Sequence, residues 1–389
     1  MLSRILIPII FLNLLTGCNV NYEAMAKERI MYAKENQGEI GVAAIQPPNN
    51  RSYIKGISLA IEQINQSKKR LLGKPIKLYL EPGFSDFKSA KKIIRRIANN
   101  PKISLVLGHT TDEVVLPASE IYEKSQLLFF PPFTTTQKLT AHHSVFTFRM
   151  LPDELYMTNQ IVKLCKKAKF MKIALLNERT EQYRTLGLLL KQKVAEHNLD
   201  LVFSHLIFKS TDDYRSLLSD LKEKHFDAVL LATSTKTAIR LIKQMRELGI
   251  DKPIIGTNDL NPQNLKASVG THENRTIIPT SYNIFFNNTI NKAFIDHYKA
   301  KYNSLPDAFA AQGYDSIMLF ANKVERAKST KPTLLASTIR FSPQWTGTTG
   351  VYHFNKKGNL IGRNYSFRLL NNGVWHTLSA PYLDLYLNP

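Results

Sequence analysis

Short apolar runs and stretches of helical period alternate along most of the chain. "EIGVAAIQ", residues 39–46, is an apolar run rich in strand formers. After a loop holding Pro47 and Pro48, "YIKGISLAIEQINQ" sets Ile54, Ile57, Ile61 and Ile64 at helical spacing. A second strand, "IKLYLE", precedes a helix in which Phe87, Ala90, Ile94 and Ile97 recur every three or four residues, with Ser85 or Asp86 placed to cap it. "ISLVLG" reads as a third strand, followed by helix 114–124, strand 127–130 and an extended "VFTFRM".

The alternation then restarts. Helices are predicted at 156–168, 184–197, 212–224 and 236–248, with strands at 172–177, 201–208, 227–233 and in "PIIG". Apolar strands without polar alternation are buried on both faces, which requires helices on both sides of a mostly parallel sheet. Two such blocks predict an α/β chain of two doubly wound, Rossmann-like lobes. Further helices are expected at about 289–303, 308–327 and 332–340, and the tail from "GVYHFN" to "YSFRLLNNGVWHTL" reads as antiparallel hairpins with "NNG" as a turn.

The first residues change the picture of where the chain works. Arg4, an apolar run from Ile5 to Leu15, and then Thr16, Gly17 and Cys18 read as a signal peptide over 1–17. The run is too short to cross a bilayer. Small residues before a cysteine resemble the lipobox of bacterial lipoproteins, so Cys18 is expected to be the lipidated N-terminus in the periplasm, followed by a linker over 18–37. Two or more acyl chains anchor stably where one does not. Asn19 in place of Asp favours the outer membrane by resemblance.

With 52 Lys and Arg against 31 Asp and Glu the net charge is +21, which suits an acidic partner or a basic solvated surface. Nucleic acid is not expected as a partner, because the lysines lie along helix faces, as in "KSAKKIIRRIANN", without the aromatic interleaving of a stacking platform. Cys165 is the one cysteine besides Cys18, so no intramolecular disulfide forms in the mature chain, and a buried helix position is expected for it. No nucleophile elbow or phosphate-cradling glycine loop is present, so neither an enzyme nor a cofactor is expected. His109 with Asp112 and Glu113, and the pair His142 and His143, lack the fixed spacing of a metal site.

In open α/β sheets ligands bind beyond the carboxyl ends of the strands. That rule nominates the loops 47–52, 109–113, 131–136, 178–184, 233–236 and 257–261, rich in Thr, Ser, Asn and Asp. With two lobes facing each other, these loops would line one cleft for a small polar solute. Asp112 is the unusual residue, an acid at a helix start where the dipole favours anions. It either caps helix 114–124, leaving Pro117 in the first turn, or faces the cleft; both readings remove an anion site. Thr134 to Thr136 satisfy turn backbone or touch ligand. Arg149, Arg179 and Arg184 either hold an anion by bidentate bonds or are solvated.

The ordered set "KGISLAIEQIN", "LVLGHTTDEVVLPASEIYEK", "FPPFTTTQKLT", "FTFRMLPD", "DAVLLATSTKTAIRLIKQMRELGI" and "GTTGVYHFNKKGN" resembles the type I periplasmic binding proteins, in particular the leucine/isoleucine/valine binders of ABC importers, over nearly all the mature chain. The resemblance implies three crossover strands joining the lobes, near Arg149 to Pro152, Pro279 to Ser281 and Gly350, with 38–150 and 280–349 in the N-terminal lobe and 151–279 and 350–389 in the C-terminal lobe. It also implies hinge closure on the ligand.

The family's ligand contacts carry over unevenly. The loop of Thr110, Thr111 and Asp112 matches the one that holds the ligand's α-carboxylate, with Asp112 at or beside a serine-like position. Two like charges about 4 Å apart repel by roughly 4 kcal/mol at an effective dielectric near 20. The anchoring Thr is retained as Thr135, next to Thr134; near Ser234 and Thr235 the family's aromatic is lost. The acid for the ligand's ammonium matches Asn258, with Asp259 one residue on, and Tyr183 matches a cleft Tyr followed here by Arg184. The expected function is a lipid-anchored solute binder serving an ABC permease, with a ligand other than a standard branched-chain amino acid. The alternative is an envelope lipoprotein that uses the same fold as a protein-interaction or cell-wall-synthase-regulating module.

Overall fold

The computed structural model describes residues 21–35, 38–48, 50–141, 144–260, 262–269 and 275–378. Cys18, His142 and His143 lie outside the described residues. The chain begins with α1 (Tyr22–Glu35), β1 (Ile40–Gln46), α2 (Ser52–Gln66), β2 (Ile76–Pro82), α3 (Phe87–Ala98), β3 (Ile103–Leu107), α4 (Asp112–Lys124) and β4 (Leu128–Phe130). The four strands form a parallel sheet in the order β2-β1-β3-β4. Alternation of side chains sorts β1 onto two cores: Val42 and Ala44 pack with α2, whereas Ala43 and Ile45 pack with α3 and α4.

The second half runs α5 (Glu154–Lys167), β5 (Lys172–Glu178), α6 (Glu181–Glu196), β6 (Asp200–Ile207), α7 (Arg215–Lys222), β7 (Ala228–Ala232), α8 (Thr235–Glu247), β8 (Ile254–Gly256), α9 (Pro262–Val269) and β9 (Thr276–Thr280). The chain returns to the first lobe with α10 (Thr289–Tyr302), α11 (Ala308–Ala327), α12 (Pro332–Phe341), β10 (Trp345–Thr346) and β11 (Val351–Tyr352), and ends in the second with β12 (Ser366–Asn371) and β13 (Val374–Thr377). The second sheet has the order β13-β12-β9-β8-β7-β5-β6, parallel from β9 to β6 and antiparallel at β12 and β13. Its two faces carry separate cores, Ile173 and Leu175 on one, Ala174 and Leu176 on the other.

Asn372 and Gly373, at φ 48° and 71°, turn the last hairpin, as an Asn-Gly pair does in the hairpin turns that need two positive φ values. Close approach fixes the α2–α11 contact: a Cβ on Gly56 would sit 2.0 Å from the Ala310 carbonyl oxygen, and one on Gly313 2.3 Å from that of Tyr53. Cys165 is fully buried on α5.

Two expectations are corrected. Part of the expected linker, 22–35, is α1, docked on the first lobe by Ala26 and by Arg29, which is 2% exposed. Arg29 donates to the carbonyls of Ile103 (3.0 Å), Ser125 (2.5 Å), Ala98 (2.7 Å) and Asn100 (3.1 Å), serving the ends of α3 and α4 and the start of β3. A low hydrophobic density hid this helix, whose docking combines the Arg29 cation with Ala26 and the partly buried Tyr22 and Met25. The third return to the second lobe falls after Leu360 and before Tyr365, beyond Gly350, since Tyr352, Phe354 and Leu360 pack in the first core and Tyr365 in the second.

Candidate functional site

Where β1, β3, β8 and β9 end, a cavity of about 310 Å³ opens between the lobes, at the low end of the range for small-ligand sites. The first lobe supplies Pro47, Thr110, Phe133, Asp307 and Phe309; the second supplies Asn258, Asp259 and Leu260; the crossovers supply Leu151, Ser281 and Tyr365. A larger hollow of about 590 Å³, around Lys172, Lys222, Lys224 and Lys252, lies at the amino ends of β5 and β7, where this kind of sheet gathers no helix N-termini.

The Gly108 backbone, at φ 133°, turns the chain out of β3, and a Cβ there would lie 2.5 Å from that of Ile45. Thr111 follows as the N-cap of α4, but no side chain caps the helix; its hydroxyl donates to the Ser85 carbonyl at 3.1 Å. Asp112 is therefore the first helical residue and not a capping side chain, which corrects the capping alternative, and Pro117 lies inside the helix, past the first turn. The Asp112 carboxyl turns towards Thr134, Arg149 and Lys138; burial raises its pKa against the opposing pull of those three. Thr134, 2% exposed, points its hydroxyl at Asp112 without reaching an ordinary hydrogen bond, so Thr134 Oγ1 has no partner.

Thr135 is 8% exposed, and its carbonyl accepts from the Glu154 N–H at 2.9 Å. Arg149 is neither a solvated cation nor an available anion clamp: with no exposure, it donates to the carbonyls of Thr134 and Thr136, to the Thr140 hydroxyl and to Asn359 Oδ1. Arg179 stacks on Phe208. Its neighbour Glu178 is fully buried, with Oε2 accepting from the Ser234 N–H at 2.5 Å and Oε1 without a partner. Ser234 caps α8, and the Thr235 hydroxyl donates to the Asp259 carbonyl at 3.1 Å. These two residues hold their loop and are not in the cavity wall. Tyr183 is half-buried and packs on the second core. His109 is buried against Tyr122, its Nε2 3.1 Å from the Tyr122 hydroxyl, and burial lowers its pKa to about 4.

Asp259 is the electrostatic centre. Its Oδ2 accepts from Gln182 Nε2 at 3.0 Å. Burial first, then the charges of Asp112 and Glu154, push its pKa up to about 7. Glu154, 4% exposed, is itself raised by burial, with Asp112 adding to the effect. Three acids from α4, α5 and the β8–α9 loop thus face one another across the lobes, while Lys138 of the first lobe pairs with Glu181 of the second. Of the residues nominated from sequence, Thr110, Asn258 and Asp259 line the cavity, and Asp112 stands close enough to act on Asp259. Sequence reasoning missed Glu154, Asp307 and Phe309, and it nominated the 131–136 loop without singling out Phe133. Asp307 carried a signal, since an acid directly before the apolar run of α11 reads as an N-cap, and it does accept from the Ala310 N–H at 2.8 Å.

The sequence matches the family model described as "Periplasmic binding protein" over residues 41–373. Among curated relatives, the leucine-, isoleucine-, valine-, threonine- and alanine-binding protein of Pseudomonas aeruginosa is 23% identical over 322 residues, covering 82% of this chain and 84% of the relative. A substrate-binding protein of an ABC transporter from Desulfitobacterium hafniense, solved in complex with Leu, superposes with a TM-score of 0.79 at 20% identity, covering 88% of this chain and 99% of the other. A solute-binding protein from R. palustris, solved with benzoate, gives a TM-score of 0.73 at 18% identity, covering 88% and 96%.

Proposed function

The chain belongs to the periplasmic binding protein family, whose members bind ligands and are not enzymes, and from that premise we propose that it is a lipid-anchored receptor that closes on a small polar solute between its lobes and hands it to an ABC permease. The relatives named for amino acids support a solute of that size. The observation that carries the reading is the cavity at the strand ends, walled by both lobes and by the crossovers that would act as the hinge. We read the solute as other than a free branched-chain amino acid, because Asp112 sets a carboxyl in the loop that the family resemblance assigns to the ligand's carboxylate. Anchoring through Cys18 would keep the receptor in the periplasm at a membrane surface.

The test is a thermal-shift panel of amines, amides, sugars, amino acids and organic acids. A solute at a hundred times its dissociation constant that binds only the folded state stabilises it by about 2.7 kcal/mol. A panel without any stabiliser, together with recovery of an envelope protein by crosslinking, would overturn solute capture in favour of a protein-interaction role. Globomycin-sensitive processing of the full chain, with loss of membrane retention in Cys18→Ser, tests the anchor.

A further inference from the structure

The cavity wall offers a ligand acceptors in excess of donors. Asp259 accepts a single side-chain hydrogen bond, from Gln182, and among the described residues no cation pairs with it. Asn258 Oδ1, next to it in the wall, is buried and has no donor. Behind them stand Asp112 and Glu154, and the fully enclosed Thr134 hydroxyl is also without a partner.

The cations nearby are already engaged. The Arg149 guanidinium serves the Thr134 and Thr136 carbonyls, and Lys138 is paired with Glu181. Asp307, the other acid in the wall, accepts from the Ser52 hydroxyl at 2.8 Å and from the Ala310 N–H. Arg368 lines the β12 side of the cavity with its guanidinium 5.4 Å from the Trp375 ring centre, and no ion pair joins it to Asp259. The remaining wall is hydrocarbon and aromatic: Phe133 and Phe309 meet edge to face with ring centroids 4.7 Å apart, with Leu260 and Leu151 beside them. A ring face attracts a cation and tolerates alkyl groups, whereas it offers nothing to a carboxylate.

We propose that the cleft takes an organic cation: an alkyl amine with no carboxylate beside its ammonium, the ammonium lying between Asp259 and Asn258 Oδ1 and the hydrocarbon against Phe133, Phe309 and Leu260. The proposal rests on the solute-binding reading and names the class of solute. It separates this chain from the leucine-type binders by the ligand's charge rather than by its side chain. A half-buried carboxylate without a cation is costly, and an ammonium that arrives with the ligand offsets that cost in a way no neutral solute can.

Isothermal titration of the full chain with three branched probes tests it: leucine, isoamylamine, which is leucine without its carboxylate, and isovalerate, a carboxylate on the same five-carbon skeleton as the amine with no ammonium; cadaverine serves as a longer amine. An amine should bind at least about tenfold tighter than leucine, and isovalerate should give no heat. Asp259→Asn should weaken the amine about tenfold or more, the fold-change of one charge-assisted hydrogen bond. Should that variant fail to fold, Asn258→Asp, which adds a carboxylate at the same place, should tighten the amine instead. Leucine or isovalerate binding more tightly than either amine would overturn the cation assignment and leave solute capture standing. Silence from every small solute would overturn both.

Discussion

Arg149 donates to the Thr134 carbonyl oxygen at 3.1 Å from a position with no solvent exposure, so a full charge inside the first lobe supports the loop that faces the cleft. Its remaining donors reach the Thr136 carbonyl (2.6 Å), the Thr140 hydroxyl (3.2 Å) and Asn359 Oδ1 (3.0 Å), tying the loop to the turn after β11. Lys has a single ammonium and cannot span that fork. Arg149→Met should lower stability by about 3 kcal/mol, as breaking a buried charged network does, and Arg149→Lys should recover only part of it. Urea unfolding measures both; a loss under about 0.5 kcal/mol for the Met variant would show that the loop holds itself.

Arg29 performs the same service at the opposite end of the lobe. Burial lowers its pKa to about 10, yet it stays charged at neutral pH and satisfies four carbonyls that the ends of α3 and α4 and the start of β3 would otherwise leave open. Arg29→Ala should cost about 3 kcal/mol through unsatisfied buried acceptors, and deletion of α1 should cost at least as much. Equal urea midpoints for the deletion and the full chain would mean that α1 is a tether and no part of the fold.

The sequence carried the alternation of strands and helices well, because strands such as Ile173–Leu176 are buried on both faces and show unbroken apolar runs. It carried β9 poorly, where Pro279 and two threonines blur a five-residue strand, and α1 not at all, since few apolar residues mark it and much of its fit comes from the Arg29 side chain meeting carbonyls about 70 or more residues away. The site was half legible. Topology alone pointed to Thr110, Asn258 and Asp259 as loop residues at strand ends. Which face of its helix Asp112 presents, and that Arg149 turns inward rather than to solvent, are consequences of packing between segments distant in sequence, and no local period records them.

Asp112 is the residue that should exclude carboxylates. Asp112→Ser removes a buried charge and leaves a hydroxyl beside Thr134, so leucine and isovalerate should bind at least tenfold better than to the parent chain; a full unit-charge repulsion of roughly 4 kcal/mol sets the upper limit near a thousandfold. The same variant should weaken an amine ligand, because one of the three acids is gone. Unchanged affinity for all probes in calorimetry would place the carboxylate's influence outside the ligand's reach.

Asp259 gives the cleft a pH dependence of definite sign. Its folded pKa of about 7 lies above the ordinary carboxylate value near 4, owing to burial and to Asp112 on α4 and Glu154 on α5; Gln182 and Tyr183 on α6, Tyr365 before β12 and Arg368 on β12 also flank the cavity or the carboxyl. The folded state therefore holds a proton that the unfolded chain has lost between those two values. Stability from this group is fully present below about pH 4 and declines as pH rises towards 7, with a slope no steeper than about 1.4 kcal/mol per pH unit. Asp112 and Glu154, raised in the same direction, add to the decline. Asp259→Asn should flatten the curve and be more stable than the parent chain at pH 8. An arriving ammonium should expel the proton, so amine binding near pH 6.5 should release a fraction of a proton, read from titrations in buffers of different ionisation enthalpy. Proton uptake on binding, or a melting temperature that climbs from pH 5 to 7 in the parent and not in the variant, would reverse the sign and with it the charge assigned to the ligand.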